Sequence, residues 1–294
     1  MIDRLCVIGV GLIGGSIAMA ARGQGLCREI VGVDADGLNL GKALELGVID
    51  SGLDAGQAGG IAKAAQGADW VVIATPVGTL RWVFEELKPV WSGQAVYTDA
   101  GSTKLSVVQA LQEVFEAVPS NFVPGHPIAG AERSGVEAST STLYRGKQVV
   151  LTPLLETDDA VLAKVEAFWA AMGADVSLMT PGHHDEMFAA TSHLPHVLAY
   201  ALVHMLGRKD EQEEIFQYAG AGFRDFTRIA SSSPKMWGDI CMANRSQIIP
   251  LLASLGEELK QVSALMENPS PEALFKYFAE ARDARQRFLY QLEK

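Results

Sequence analysis

Six residues near the N-terminus, Gly9-Val10-Gly11-Leu12-Ile13-Gly14, lie between an apolar run at residues 5–8 and a helical pattern at residues 14–22. A second apolar run, residues 30–33, ends at Asp34, about 20 residues beyond Gly14. Glycine is common here, 29 of 294 residues, so the triplet by itself restricts little. Its place between a strand and a helix restricts a great deal. Strand, glycine turn, helix, strand and acid, in that order, describe a βαβ unit that binds a dinucleotide. Gly9 permits the tight turn, Gly11 lets the backbone approach a pyrophosphate, and Gly14 lets the helix pack closely on the strand. With Leu12 and Ile13 they present the free N–H groups of a helix start to an anion. Asp34 accepts hydrogen bonds from ribose hydroxyls and repels a 2′-phosphate, and Ala35 and Asp36 beside it offer no arginine to receive one. NAD is therefore expected rather than NADP. The competing readings are a glycine turn without a ligand, or another nucleotide such as S-adenosylmethionine.

Apolar runs at residues 70–74, 95–98, 122–123, 148–151 and 176–179 continue the series, alternating with helical patterns. This is the signature of a parallel sheet covered by helices. Thr75-Pro76 ends the third run, at the carboxyl edge where ligands bind in such sheets; a simple strand stop is the equal alternative. Residues 161–172 carry apolar side chains at helical spacing and Gly173 closes that helix. Beyond Pro181-Gly182 only helical periodicity remains, at residues 187–205, 214–218, 236–266 and 271–292, with a charged turn at 209–214. The expected architecture is an α/β Rossmann-type dinucleotide-binding domain, residues 1–180, followed by an all-α helical domain, residues 181–294.

A formal charge of −11 argues against nucleic acid and anionic membranes as partners. The apolar N-terminal run is interrupted by Gly9, Gly11, Gly14 and Gly15, and no other run reaches the length of a membrane span. Cys6, Cys27 and Cys241 are far apart and form no CxxC pair, as in a reducing compartment. A soluble cytoplasmic chain is expected.

Three segments look chemical. Thr98-Asp99-Ala100-Gly101-Ser102-Thr103-Lys104 and Gly125-His126-Pro127-Ile128-Ala129-Gly130 each leave a strand toward the carboxyl edge. A histidine framed by glycine and proline at a strand end is not a core residue of a helix face, so His126 is a functional candidate. The third segment is residues 220–230, and from Gly220 to Arg245 the chain holds Arg224, Arg228, Lys235 and Arg245 against Asp225 and Asp239. That local excess of positive charge suits either an anion held by arginine forks or internal pairing. Among His183, His184, His193 and His196, a shared helix face is interrupted by Pro195 and no carboxylate motif completes a zinc site. No metal is expected, and Ser192, His193 and His196 read better as polar lining of a pocket.

Taken in order, residues 9–16, 99–104, 125–130, Ser192-His193-Leu194-Pro195-His196, and 223–230 with Trp237 resemble prephenate/arogenate (cyclohexadienyl) dehydrogenases of tyrosine biosynthesis. The likeness spans essentially the whole chain. It implies oxidative decarboxylation of a small dicarboxylate: hydride leaves C4 for the nicotinamide, the C4 hydroxyl loses its proton, and carbon dioxide departs as the ring becomes aromatic. By resemblance, His126 takes that proton with an imidazole near its ordinary pKa of ~6.5, and Ser102 holds the same hydroxyl. Arg228 binds the ring carboxylate, and Ser192, His193, His196 and Trp237 line the pocket. Glu132 and Arg133 form a polar gate. The helical half is implied to make a homodimer, with the active site between domains and groups able to cross from the partner. A β-hydroxyacid dehydrogenase would need a catalytic lysine after the sheet domain, and none occurs there before Lys209. A non-catalytic NAD sensor would leave His126 and Arg228 without a task.

Overall fold

β1 (Ile2–Ile8) is the strand from which the rest of the main sheet is built outward in both directions. In this computed structural model, which describes residues 1–130, 133–209, 214–267 and 271–292, six parallel strands lie in the order β3-β2-β1-β4-β5-β6. The others are β2 (Cys27–Asp34), β3 (Ser51–Asp54), β4 (Trp70–Ile73), β5 (Val96–Asp99) and β6 (Phe122–Val123). Helices α1 (Leu12–Gly23), α2 (Gly37–Glu45), α3 (Gly60–Ala65), α4 (Leu80–Leu87), α5 (Leu105–Phe115) and α6 (Asp159–Ala171) cover it. β1 shows why both faces are buried. Leu5 and Val7 pack with Ile17, Ala21 and Trp169 on one side, while Cys6 and Ile8 pack with Ile61, Val83, Phe84 and Leu111 on the other. The strand order reverses between β1 and β4, which opens a crevice at their carboxyl ends.

Two runs expected to extend this sheet belong elsewhere. β8 (Gln148–Leu151) and β9 (Asp175–Leu178) form a second, three-stranded sheet with β7 (Gly125–Pro127), antiparallel to β8. Pro124 explains the change of sheet. It has no N–H for the first ladder, and its carbonyl instead accepts from Thr152 N at 2.9 Å. His126 is thus held in a strand opposite Val150 rather than in a turn.

After residue 180 the chain is helical: α7 (Pro181–Phe188), α8 (Leu194–Gly207), α9 (Ala221–Thr227), α10 (Pro234–Ala243), α11 (Arg245–Glu267) and α12 (Pro271–Leu292). Two helices expected to run unbroken do not. Between α7 and α8 the backbone widens to a π-turn, Ala189–His193. Pro195 causes this, because it lacks an N–H and crowds the carbonyl four residues earlier. The 236–266 pattern breaks at Asn244, which leaves helical geometry at φ −109°, ψ 22°. Most of the expected charged turn at 209–214 lies outside the described residues. Backbone packing groups the chain into two units, Met1–Arg245 and Ser246–Lys294. Among the described residues no helix is long and apolar enough to cross a membrane.

Candidate active site

The glycine loop joins β1 to α1, and its three glycines are required for different reasons. Gly9 has φ +90°, and a Cβ there would come within 2.6 Å of the Ala74 carbonyl oxygen. A Cβ on Gly14 would overlap the carbonyl oxygen of Gly9. Gly11 meets nothing, so its face is open space above the start of α1, where no side chain caps the helix N–H groups. The carboxylate of Asp34 closes the opposite side, accepting from Val10 N at 2.9 Å and Asp36 N at 2.9 Å. Asn39, which the sequence did not single out, donates to Val10 O and to Asp34 Oδ2, and accepts from Val136 N. Next to Gly9, the buried Thr75 Oγ1 has no hydrogen-bond partner among the described residues, while Pro76 is exposed. An open anion site at a helix start, a carboxylate fixed at the end of β2 on one side of it and an unsatisfied hydroxyl after β4 on the other fit NAD.

Beyond Leu12 and Ile13 opens a cavity of about 910 Å³. It gathers Ser102, His126, Ser192, His193, His196, Arg228 and Trp237 on one wall system, although they come from four separate stretches of sequence. The expected cofactor residues Gly9, Gly11, Gly14, Asp34, Thr75 and Pro76 are not part of this wall; they sit along the sheet edge. His196 stacks on Trp237 at 3.5 Å and 19°, and its Nδ1–H donates to Ser192 O at 2.8 Å. Burial lowers the His196 pKa, and the charge of Arg228 lowers it further against the opposing Ser192 bond. Of the expected gate, Glu132 lies outside the described residues and Arg133 is exposed.

His126 is the end of a relay. Asp185 accepts from Lys104 N at 2.8 Å and Leu105 N at 2.9 Å, at the start of α5, and from His184 Nδ1 at 2.8 Å. A carboxylate only accepts, so His184 carries its proton on Nδ1 and offers a lone pair at Nε2. That lone pair faces His126 Nδ1 at 2.8 Å, which must then be the N–H. His126 is left with its Nε2 lone pair for the cavity. Asp185 was passed over in the sequence and His184 weighed there only as a metal ligand, because the partners that define their roles are far away in the chain. Neighbouring histidines offered as possible metal ligands thus include one committed to this relay, and among the described residues no cluster of three His, Cys, Asp or Glu side chains is set to hold a metal ion.

The expected His126 pKa near 6.5 needs correction. Burial lowers it well below that value, and His184, Lys104 and His193 add to the effect. His126 is therefore a neutral base throughout the physiological range. Burial also lowers His184, and it lowers His193 to about 4. These depressions fix the sign of a pH effect. Below ~6.5 the unfolded chain binds protons that the folded histidines refuse, so stability is full above that pH and falls toward the folded pKa values. For His193 alone, moving from 6.5 to about 4 corresponds to about 3 kcal/mol. Between pH 6.5 and 5 the carboxylates stay largely ionised, so thermal unfolding in that window isolates the histidines. The melting temperature is expected to drop steadily there, and a flat profile would contradict these assignments.

A second buried network ties the two chemical segments together. Lys104 Nζ pairs with Asp99 and donates to Gly125 O, and Asp99 also accepts from Gly101 N and Gly125 N. Lys104 and Asp99 are both 0% exposed. The turn bearing Ser102 and the strand bearing His126 are thereby joined through one ion pair.

Comparison with known proteins identifies the family. The model of the prephenate dehydrogenase nucleotide-binding domain matches residues 17–178, and that of the prephenate dehydrogenase dimerization domain matches residues 180–280. The chain is 37% identical over 291 residues to a prephenate dehydrogenase of Bacillus subtilis, covering 97% of this chain and 76% of that protein. It is 32% identical over 287 residues to a cyclohexadienyl dehydrogenase of Zymomonas mobilis, covering 96% and 94%. A crystal structure of prephenate dehydrogenase from A. aeolicus, in complex with hydroxyphenyl propionate and NAD+, superposes with a TM-score of 0.88 at 37% identity, covering 98% of this chain and 99% of that one. With two family models running almost end to end from residue 17 to residue 280, the chain belongs to the prephenate dehydrogenase family.

Proposed function

We propose that the chain oxidatively decarboxylates prephenate, or its amino counterpart arogenate, to 4-hydroxyphenylpyruvate or tyrosine. The observation that carries this reading is the Asp185–His184–His126 relay, which ends in a lone-pair nitrogen on a cavity also walled by Arg228. NAD, when bound, supplies the hydride acceptor; Gly9, Gly11, Leu12, Ile13 and Gly14 hold its pyrophosphate, Asp34 its ribose, and Thr75 and Pro76 the crevice edge. His126 Nε2 accepts the proton of the C4 hydroxyl, and Ser102 holds that hydroxyl in place. The positive charge that then develops on His126 stays on that ring and is stabilised by Asp185, which through His184 orients both rings. Arg228 binds the ring carboxylate until the C1–carboxyl bond breaks and its electrons enter the ring. Ser192, His193, His196 and Trp237 shape the rest of the pocket.

The functional division we infer is residues 1–180 for NAD and 181–294 for substrate and dimerisation, supported by family models that meet between 178 and 180. A homodimer is further supported by α11 and α12, where Leu259, Met266, Phe275, Phe278 and Phe288 are exposed and would be covered by a second copy. The cytoplasm is the site of action, in keeping with Cys6, Cys27 and Cys241, all free thiols.

The test is NADH formation with prephenate and with arogenate at matched concentrations, using NAD and then NADP. Turnover with NAD and at least one substrate is expected, and none with either would overturn the reading. In the same assay Arg228→Ala is expected to raise the substrate KM about 10- to 100-fold, the worth of one charge-assisted contact, with kcat changed little. A change confined to kcat would remove Arg228 from the binding role.

A further inference from the structure

We propose that Asn244 is a positioning residue that fixes His193 as the Nε2–H tautomer, making it a hydrogen-bond donor to a substrate oxygen in the cavity. Asn244 sits in the break between α10 and α11 and is 1% exposed. Its Nδ2 lies 2.8 Å from the Asp185 carbonyl oxygen and 3.1 Å from His193 Nδ1. A backbone carbonyl can only accept, so the amide nitrogen must face it. The same nitrogen has one hydrogen left, and that hydrogen points at His193 Nδ1. His193 Nδ1 is therefore a lone pair.

His193 is neutral at physiological pH because burial lowers its pKa to about 4, so its single ring proton goes to Nε2. That N–H is buried and has no partner among the described residues, and His193 lines the cavity. A buried donor without an acceptor is costly, and a substrate hydroxyl, keto or carboxylate oxygen would satisfy it. The two histidines thus divide their tasks: His126 offers a lone pair and His193 a proton donor. The same Asn244 nitrogen holds the backbone of Asp185, so one amide sets the geometry of both. The reaction proposed above is needed for the identity of the acceptor, and the tautomer stands without it.

The protein labelled with 15N in its histidine rings tests the tautomer directly, since protonated and unprotonated ring nitrogens resonate apart; His193→Phe supplies the assignment. In the unsubstituted protein His193 is expected to be protonated at Nε2 alone. In Asn244→Leu that single-tautomer signature is expected to be lost, and the affinity for 4-hydroxyphenylpyruvate, followed by titration, to fall about tenfold, the loss of one hydrogen bond. NAD affinity should stay within about twofold, which separates positioning from general unfolding. An Nδ1–H tautomer in the unsubstituted protein overturns the proposal even if Asn244→Leu does not fold. So does an Asn244→Leu protein that keeps both the tautomer and the affinity. An Nε2–H tautomer in a protein that binds no 4-hydroxyphenylpyruvate would instead overturn the substrate reading.

Discussion

His126→Asn is expected to lower kcat by about 10²- to 10⁴-fold, the usual contribution of a positioned general base, with NAD affinity unchanged within about twofold. Asparagine is the informative replacement because its amide can occupy the place of the imidazole Nδ1–H. It can still donate to His184 Nε2, so the relay to Asp185 keeps its partner and the strand opposite Val150 keeps its register. What disappears is the Nε2 lone pair facing the cavity. NADH absorbance gives kcat, and quenching of tryptophan fluorescence on titration with NAD gives the affinity independently of turnover. A variant with near-normal kcat would show that the proton leaves by another route. One that loses NAD binding as well would point to a distorted crevice, since His126 makes no contact with the glycine loop in the relay just described.

The parts of this site that are local in sequence were readable before the fold was known. The Gly9 loop and Asp34 belong to one continuous βαβ unit, so their spacing alone orders them around an anion. His126 stood out because glycine and proline beside it excluded a helix. The relay behind it did not stand out. Asp185 finds its backbone donors 80 and 81 residues earlier, at the start of α5, and nothing periodic marks such a partner. Asn39 and Asn244 were missed for the same reason, since each joins segments that only the tertiary fold brings together. β3 was missed because Leu53 is the one large apolar residue in Ser51–Asp54, and parallel pairing with β2 rather than its own composition makes it a strand. Pro195 was readable in principle. A proline inside an apolar helical run predicts a local opening, and the π-turn it produces carries Ser192 and His193.

Lys104→Met is expected to destabilise the fold by about 3–5 kcal/mol, the cost of leaving one member of a buried ion pair without its partner. Asp99 would keep its bonds from Gly101 N and Gly125 N but lose the cation it pairs with, at 0% exposure. In a chain of this size that amounts to a fall in melting temperature on the order of 10 °C. The pair is nonetheless poor evidence of net stabilisation. Burial lowers the Lys104 pKa despite the opposing pull of Asp99, so desolvation outweighs the attraction. If stability were its purpose, replacing both charges would suffice. Asp99→Asn combined with Lys104→Met is accordingly expected to regain most of the lost melting temperature, because no unpaired charge remains. Its kcat should stay at least about tenfold down, a barrier difference of ~1.4 kcal/mol. The Lys104 bond to Gly125 O, which ties the Ser102 turn to the His126 strand, is absent in it. Thermal unfolding and steady-state turnover on the single and double variants separate the two effects. A double variant that recovers full activity along with its stability would reduce the pair to packing, and would leave the register between Ser102 and His126 to the Asp99 backbone contacts alone.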